Sequence, residues 1–173
     1  MTEQQRADVS EDAVMTRIGQ AAMLLHAGDR EEARNRFAEL WARLGADGAP
    51  LHRCTLAHCM ADAQEDPEDR LAWHLRALTA ATGATGEPVA VRPPRAPRGE
   101  ERGPGGGPAA ALRALLPSLH LNLATDYLEL RRPADARVHL SRARAAAPAL
   151  ADDGYGRGVR AALDRLGRRL AAE

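Results

Sequence analysis

Lysine is missing from this chain of 173 residues, so all 24 of its basic side chains are arginine. They offset 24 acids to a formal net charge of zero, which excludes a global attraction toward nucleic acid or an anionic membrane. Arginine without lysine, beside abundant Ala and Gly, matches GC-rich codon usage and needs no phosphate-binding role. Aromatic residues are few: Phe37, Trp41, Trp73, Tyr127 and Tyr155. β-Branched residues are scarce, and no stretch alternates apolar and polar side chains as a half-buried strand does. An all-α fold follows. No apolar run reaches the roughly 18 residues of a membrane span, and the opening MTEQQRADVSED lacks the basic-then-apolar pattern of a secretory signal. Cys54 and Cys59, five apart on one expected helix, point to different faces and cannot bridge. The expectation is a reduced, cytoplasmic protein of one domain.

What the chain does have is a repeated helix-turn-helix spacing. In PSLHLNLATDYLELRRPADARVHLSRARAAAP, residues 117–148, Leu123-Ala124, Tyr127, Ala136, Leu140 and Pro148 fall at fixed offsets. A small residue lets two antiparallel helices approach, an aromatic fills the space beside it, and a proline stops the second helix. The same offsets recur earlier: Ala21, Leu24, Ala33 and Phe37 correspond to Ala124, Tyr127, Ala136 and Leu140, with Gly45 in the place of Pro148. A middle unit is looser. Aligning Leu71 with Ala33 and Ala136 puts Cys59 at the small position and Asp62 where an apolar residue belongs, so either the register shifts by one or this hairpin is irregular.

Local signals place the elements. Residues 1–11 are expected to be a disordered tail. Helix one then runs from about Asp12 to Ala27, and Gly28 stops it. Asp29-Arg30-Glu31-Glu32 has the capping-box spacing that opens helix two, which Gly45 closes. Pro50 starts helix three, and Asp66-Pro67 opens helix four toward Ala81. The units thus span about 12–45, 50–82 and 109–148. Residues 83–108, rich in Pro and Gly, are expected to be a disordered insertion; Pro93-Pro94-Arg95-Ala96-Pro97 contains a P-x-x-P match. Helix five resumes near Ala109, with Pro117 marking a kink or a fresh start, and helix six begins near Pro133. A last helix, about 155–172, has an apolar seam of Val159, Leu163, Leu166 and Leu170. Its opposite face carries Arg157, Arg160, Arg165, Arg168 and Arg169, as a terminal capping helix requires.

These offsets resemble the tetratricopeptide repeat, whose period is about 34 residues, over residues 13–148 without the insertion. The whole chain also resembles bacterial tetratricopeptide proteins of no assigned activity. The resemblance implies a right-handed α-solenoid of about three antiparallel helix pairs with a C-terminal capping helix. It further implies a concave groove, lined by the first helix of each pair, that holds a peptide or partner helix. Transferred by position, the lining is Met15, Ile18 and Leu25 in the first unit, with Ala22 and His26. The second gives Arg53, Leu56 and Met60, with Gln64, and the third Leu121, Asn122, Thr125 and Leu128, with Ser118 and Glu129. Asn122 stands where family members that grip peptide backbones carry an asparagine, a side chain that both donates to and accepts from a peptide unit. Only Arg53 is placed to bind a carboxylate, so that mode is not expected.

Cys54 and His58 lie one helical turn apart, and His74 on the next helix would complete three zinc ligands. Yet Cys54, His58 and Cys59 align with Leu119, Leu123 and Ala124, which are packing positions, and no metal or other cofactor is expected. A Cys-His nucleophile lacks an oxyanion hole. The Gly105-Gly106-Gly107 cluster lacks the lysine and strand of a phosphate loop. No catalytic residues are expected. The leading expectation is a non-enzymatic interaction module or scaffold binding a protein or peptide partner, or a second copy of itself. The alternatives are a regulatory or sensory solenoid around a small apolar ligand, and a metal-dependent enzyme.

Overall fold

The structure, a computed structural model, describes the backbone of residues 3–85 and 107–172, with side chains for 13–84 and 107–172. The described residues form seven α-helices and no strand. They are α1 (Glu3–His26), α2 (Arg30–Leu44), α3 (Pro50–Asp62), α4 (Pro67–Thr85), α5 (Pro108–Glu129), α6 (Pro133–Ala146) and α7 (Gly154–Ala171). A 3-10 turn, Ala147–Ala149, follows α6. No helix among the described residues is long and apolar enough to cross a membrane.

Helix boundaries follow local chemistry. Asp29 caps α2, its carboxylate accepting from Glu32 N at 3.3 Å. Glu32 itself turns forward to Arg36 at 2.7 Å, so only half of the expected capping box forms. Asp66 Oδ1 accepts from the amides of Glu68 and Asp69 at 2.8 and 3.1 Å, opening α4 ahead of Pro67. Asp153 caps α7 through Gly156 N at 2.7 Å. Three boundaries differ from expectation. α1 starts at Glu3 rather than Asp12, because residues 3–11 contain neither Gly nor Pro to break it. α4 continues through Gly83, Ala84 and Thr85. α5 passes through Pro117 within one helix, so Pro117 does not begin a fresh one. The rest of the expected insertion, residues 86–106 with its P-x-x-P match, lies outside the described residues.

Two hairpins close with the same turn. Gly28 (φ 92) and Arg131 (φ 60) both take the left-handed conformation. The amide after each reaches back five residues: Asp29 N to Leu24 O at 3.0 Å, and Arg132 N to Tyr127 O at 2.8 Å. Both connections are three residues long, 27–29 and 130–132, whereas the α3–α4 connection has four, 63–66. That extra residue shifts the middle register by one. Ala61, fully buried, takes the place of Tyr127, and Asp62 turns outward.

Consecutive helices pack together, and the odd-numbered helices also pack in succession: α1 on α3, α3 on α5, α5 on α7. Helix faces read from the sequence do settle inward. Ala21, Ala33 and Phe37 are buried in one core, and Leu123, Ala124, Ala136 and Leu140 in a second. Tyr127 is 9% exposed. Its ring stacks on His139 at 5.3 Å between centroids, and the Arg132 guanidinium lies 4.8 Å over it. The two cores meet at Trp41 and Trp73, edge to face at 5.1 Å, each ring carrying an arginine, Arg53 and Arg76, at 4.3 and 4.5 Å. Val159, Leu163, Leu166 and Leu170 of α7 join the second core.

Candidate functional site

A hollow of about 730 Å³ opens between α3, α5 and α7. Its α3 wall presents Cys54, Thr55, His58 and Asp62, one helical face at spacings of three and four. From α5 come Leu115, Ser118, Leu119, Leu121 and Asn122. The third wall is α7, through Gly154, Tyr155, Gly158, Val159 and Ala162. Gly154, Gly158 and Ala162 stand four apart on this wall, a stripe of small residues beside Tyr155 and Val159 that leaves the space open. Nothing lies within 4 Å of where a Cβ of Gly158 would sit. Tyr155, 52% exposed, edges the opening and donates its hydroxyl to Ser118 Oγ at 2.8 Å.

Of the groove residues expected from sequence, the hollow gathers Ser118, Leu121 and Asn122. Ile18, Leu56 and Met60 are buried in the core that α1, α2 and α3 share, and Leu128 in the second core. Leu25 is half-buried against the first core. Met15 is 37% exposed, away from the hollow. Arg53 lies over Trp41 and donates to Gly45 O. Thr125 donates to Leu121 O at 3.0 Å within its own helix. The physical reason is closer packing: α1 lies directly on α3, and their facing apolar stripes are consumed as core. The α7 wall was not foreseen. Its signal was the four-residue spacing of Gly154, Gly158 and Ala162.

Neither cysteine has nucleophile character. Burial pushes the Cys54 thiol up to about 12 and the Cys59 thiol up to about 11, so both stay protonated at neutral pH, when only a thiolate attacks. His58 behaves differently. Burial drives its pKa down, Asp62 opposes this, and the neighbouring His74 ring reinforces it. The imidazole is neutral and able to act as an acceptor or a ligand.

At the floor of the α3 wall a polar network crosses three helices. His74 of α4, 3% exposed, lies beside His58 with ring centroids 5.6 Å apart. Its Nδ1 donates to Asp126 Oδ2 of α5 at 2.6 Å, and Arg70 Nε donates to the other Asp126 oxygen at 2.8 Å. Arg70 also pairs with Glu129. Asp126 is 2% exposed, and the two donors are what makes a carboxylate tolerable there. Asp126 went unread from the sequence, because a single acid between Thr125 and Tyr127 gives no sign that a neighbouring helix will bury it.

Comparison with protein-family models, with curated proteins and with solved structures returns no match.

Proposed function

We propose that this chain is a non-enzymatic interaction module, a right-handed solenoid of the tetratricopeptide kind whose three hairpins and final helix hold a short apolar peptide segment of a partner protein. The observation that carries the reading is the hollow itself: a mostly apolar trough bounded by α3, α5 and α7, with Asn122 among its polar side chains. An amide in an apolar trough suits a peptide, because it donates to and accepts from one peptide unit while neighbouring walls take side chains. The succession of α1, α3, α5 and α7 and the twin turns at Gly28 and Arg131 support the repeat. α7 acts in this reading as the last groove helix as well as the cap.

The test uses a displayed peptide library panned on the full chain, followed by affinity measurements with two variants. Gly158→Leu projects a side chain into the hollow from α7, starting at a Cβ that meets no atom within 4 Å, and Leu121→Glu places a charge on the α5 wall. Selected apolar peptides should lose about tenfold or more in affinity to either variant, with melting temperatures preserved. Peptides bound equally well by both variants would remove the groove from consideration.

A second reading, a regulatory solenoid closing on a small apolar ligand, is favoured by the size of the hollow, which falls in the range of about 300–1,000 Å³ common to such sites. Stabilisation by small apolar compounds, abolished by Gly158→Leu, together with failure of every peptide, would select it.

A further inference from the structure

We propose that His58, Asp62 and His74 bind a divalent transition metal ion, of which zinc fits best, with Asp126 orienting His74 from behind. The inference stands apart from whatever fills the hollow. His58 and Asp62 are one helical turn apart on α3, with His58 Nε2 lying 3.8 Å from Asp62 Oδ2. His74 faces them from α4, and one ligand atom from each residue lies within 4.8 Å of the others. Tetrahedral bonds of about 2.0–2.2 Å to one ion would draw these atoms to about 3.4 Å from one another, a shift that side-chain rotation of the three ligands can supply.

The second observation is a pair of buried nitrogens with nothing to bind. His74 Nε2 and His58 Nδ1 are both shielded from solvent and have no hydrogen-bond partner within the protein. The Asp126 carboxylate accepts, so Nδ1 of His74 carries a proton, and the unpartnered Nε2 is the ring atom left to ligate an ion. A carboxylate behind a histidine whose other nitrogen is bare is the arrangement that fixes the tautomer of a metal-bound imidazole and raises its basicity. Arg70 in turn fixes Asp126.

The donor set selects the ion. Two imidazoles and one carboxylate suit zinc and its neighbours better than magnesium or calcium, which prefer all-oxygen shells. Cys54, the ligand the sequence suggested, is not among the clustered residues. Three protein ligands leave one coordination position for water, as in open zinc sites. His58 and Asp62 also line the hollow, so that position can be reached by a donor atom arriving there.

The experiment titrates zinc chloride into chelator-treated full-length protein by calorimetry, with cobalt as a spectroscopic probe. One equivalent should bind, the melting temperature should rise, and cobalt should give the visible bands of a tetrahedral site. His58→Gln and Asp62→Asn change half-exposed or exposed side chains and should fold normally. Each should weaken zinc binding about tenfold or more, and Asp126→Asn by about 10–100-fold. Absence of saturable binding overturns the proposal. So does zinc affinity left unchanged in both His58→Gln and Asp62→Asn, since the ion would then be held elsewhere.

Discussion

His120 and His139 meet nitrogen to nitrogen across the α5–α6 interface, Nδ1 to Nδ1 at 3.0 Å. One ring must donate and the other accept, so the contact requires at least one bare nitrogen. Burial lowers both pKa values to about 4, helped for His120 by His139 and Arg142 and for His139 by Arg142. In the unfolded chain both rings return to about 6.5. Between these values the unfolded state binds protons that the native state refuses, so stability is complete above about 6.5 and declines as pH falls toward about 4. Urea midpoints measured at intervals across that window should drop on acidification. In the double variant His120→Leu/His139→Leu the decline should be shallower; an equal decline would show that the pair does not contribute.

Tyr127 tests the helix-pair interface. Its ring fills the space beside Ala124 and Ala136 and stacks on His139. Tyr127→Ala should cost about 3–5 kcal/mol, the range of large aromatic deletions in cores, read from chemical denaturation. A loss below about 1 kcal/mol would be that of a surface residue.

The twin turns make opposite predictions for the same backbone shape. Arg131 holds a left-handed conformation that costs a side-chain-bearing residue about 1–2 kcal/mol, so Arg131→Gly should stabilise by about 0.5–1 kcal/mol after the entropy of glycine is counted. Gly28→Ala should destabilise by about 1 kcal/mol, although no atom obstructs its Cβ. Thermal melts of the two variants should move in opposite directions.

Glycines two residues apart on α7 should also diverge. A Cβ on Gly156 would run into the carbonyl oxygen of Ala151, a backbone atom that cannot swing away, and Gly156→Ala should cost about 1–3 kcal/mol. Gly158→Ala enters open space and should stabilise the helix by up to about 1 kcal/mol. Equal effects would mean that the Asp153 cap and the Ala151 loop are not fixed as described.

Much of the secondary structure was legible residue by residue, since a cap acts over three or four positions. Asp29, Gly45 and Asp66-Pro67 sit at helix ends where the sequence puts them. The groove was less legible. Leu121 and Leu128 lie seven apart with the same apolar character, yet one edges the hollow and the other is 4% exposed. Periodicity assigns a residue to a face, but the distance to the next helix decides whether that face is wall or core. The middle hairpin shows the same limit, where one added turn residue exchanged Asp62 for Ala61 in the interior.

The amino-acid sequence by itself determined an all-α chain, the ends of most helices, and the small and aromatic positions at which two hairpins close, because those depend on neighbours a few residues away. Tertiary structure alone decided that α7 forms a wall, and that His74 and Asp126, 52 residues apart, share a buried hydrogen bond. Long-range polar contacts leave no periodic trace in a sequence; they exist only once packing removes the water that would otherwise satisfy each group separately.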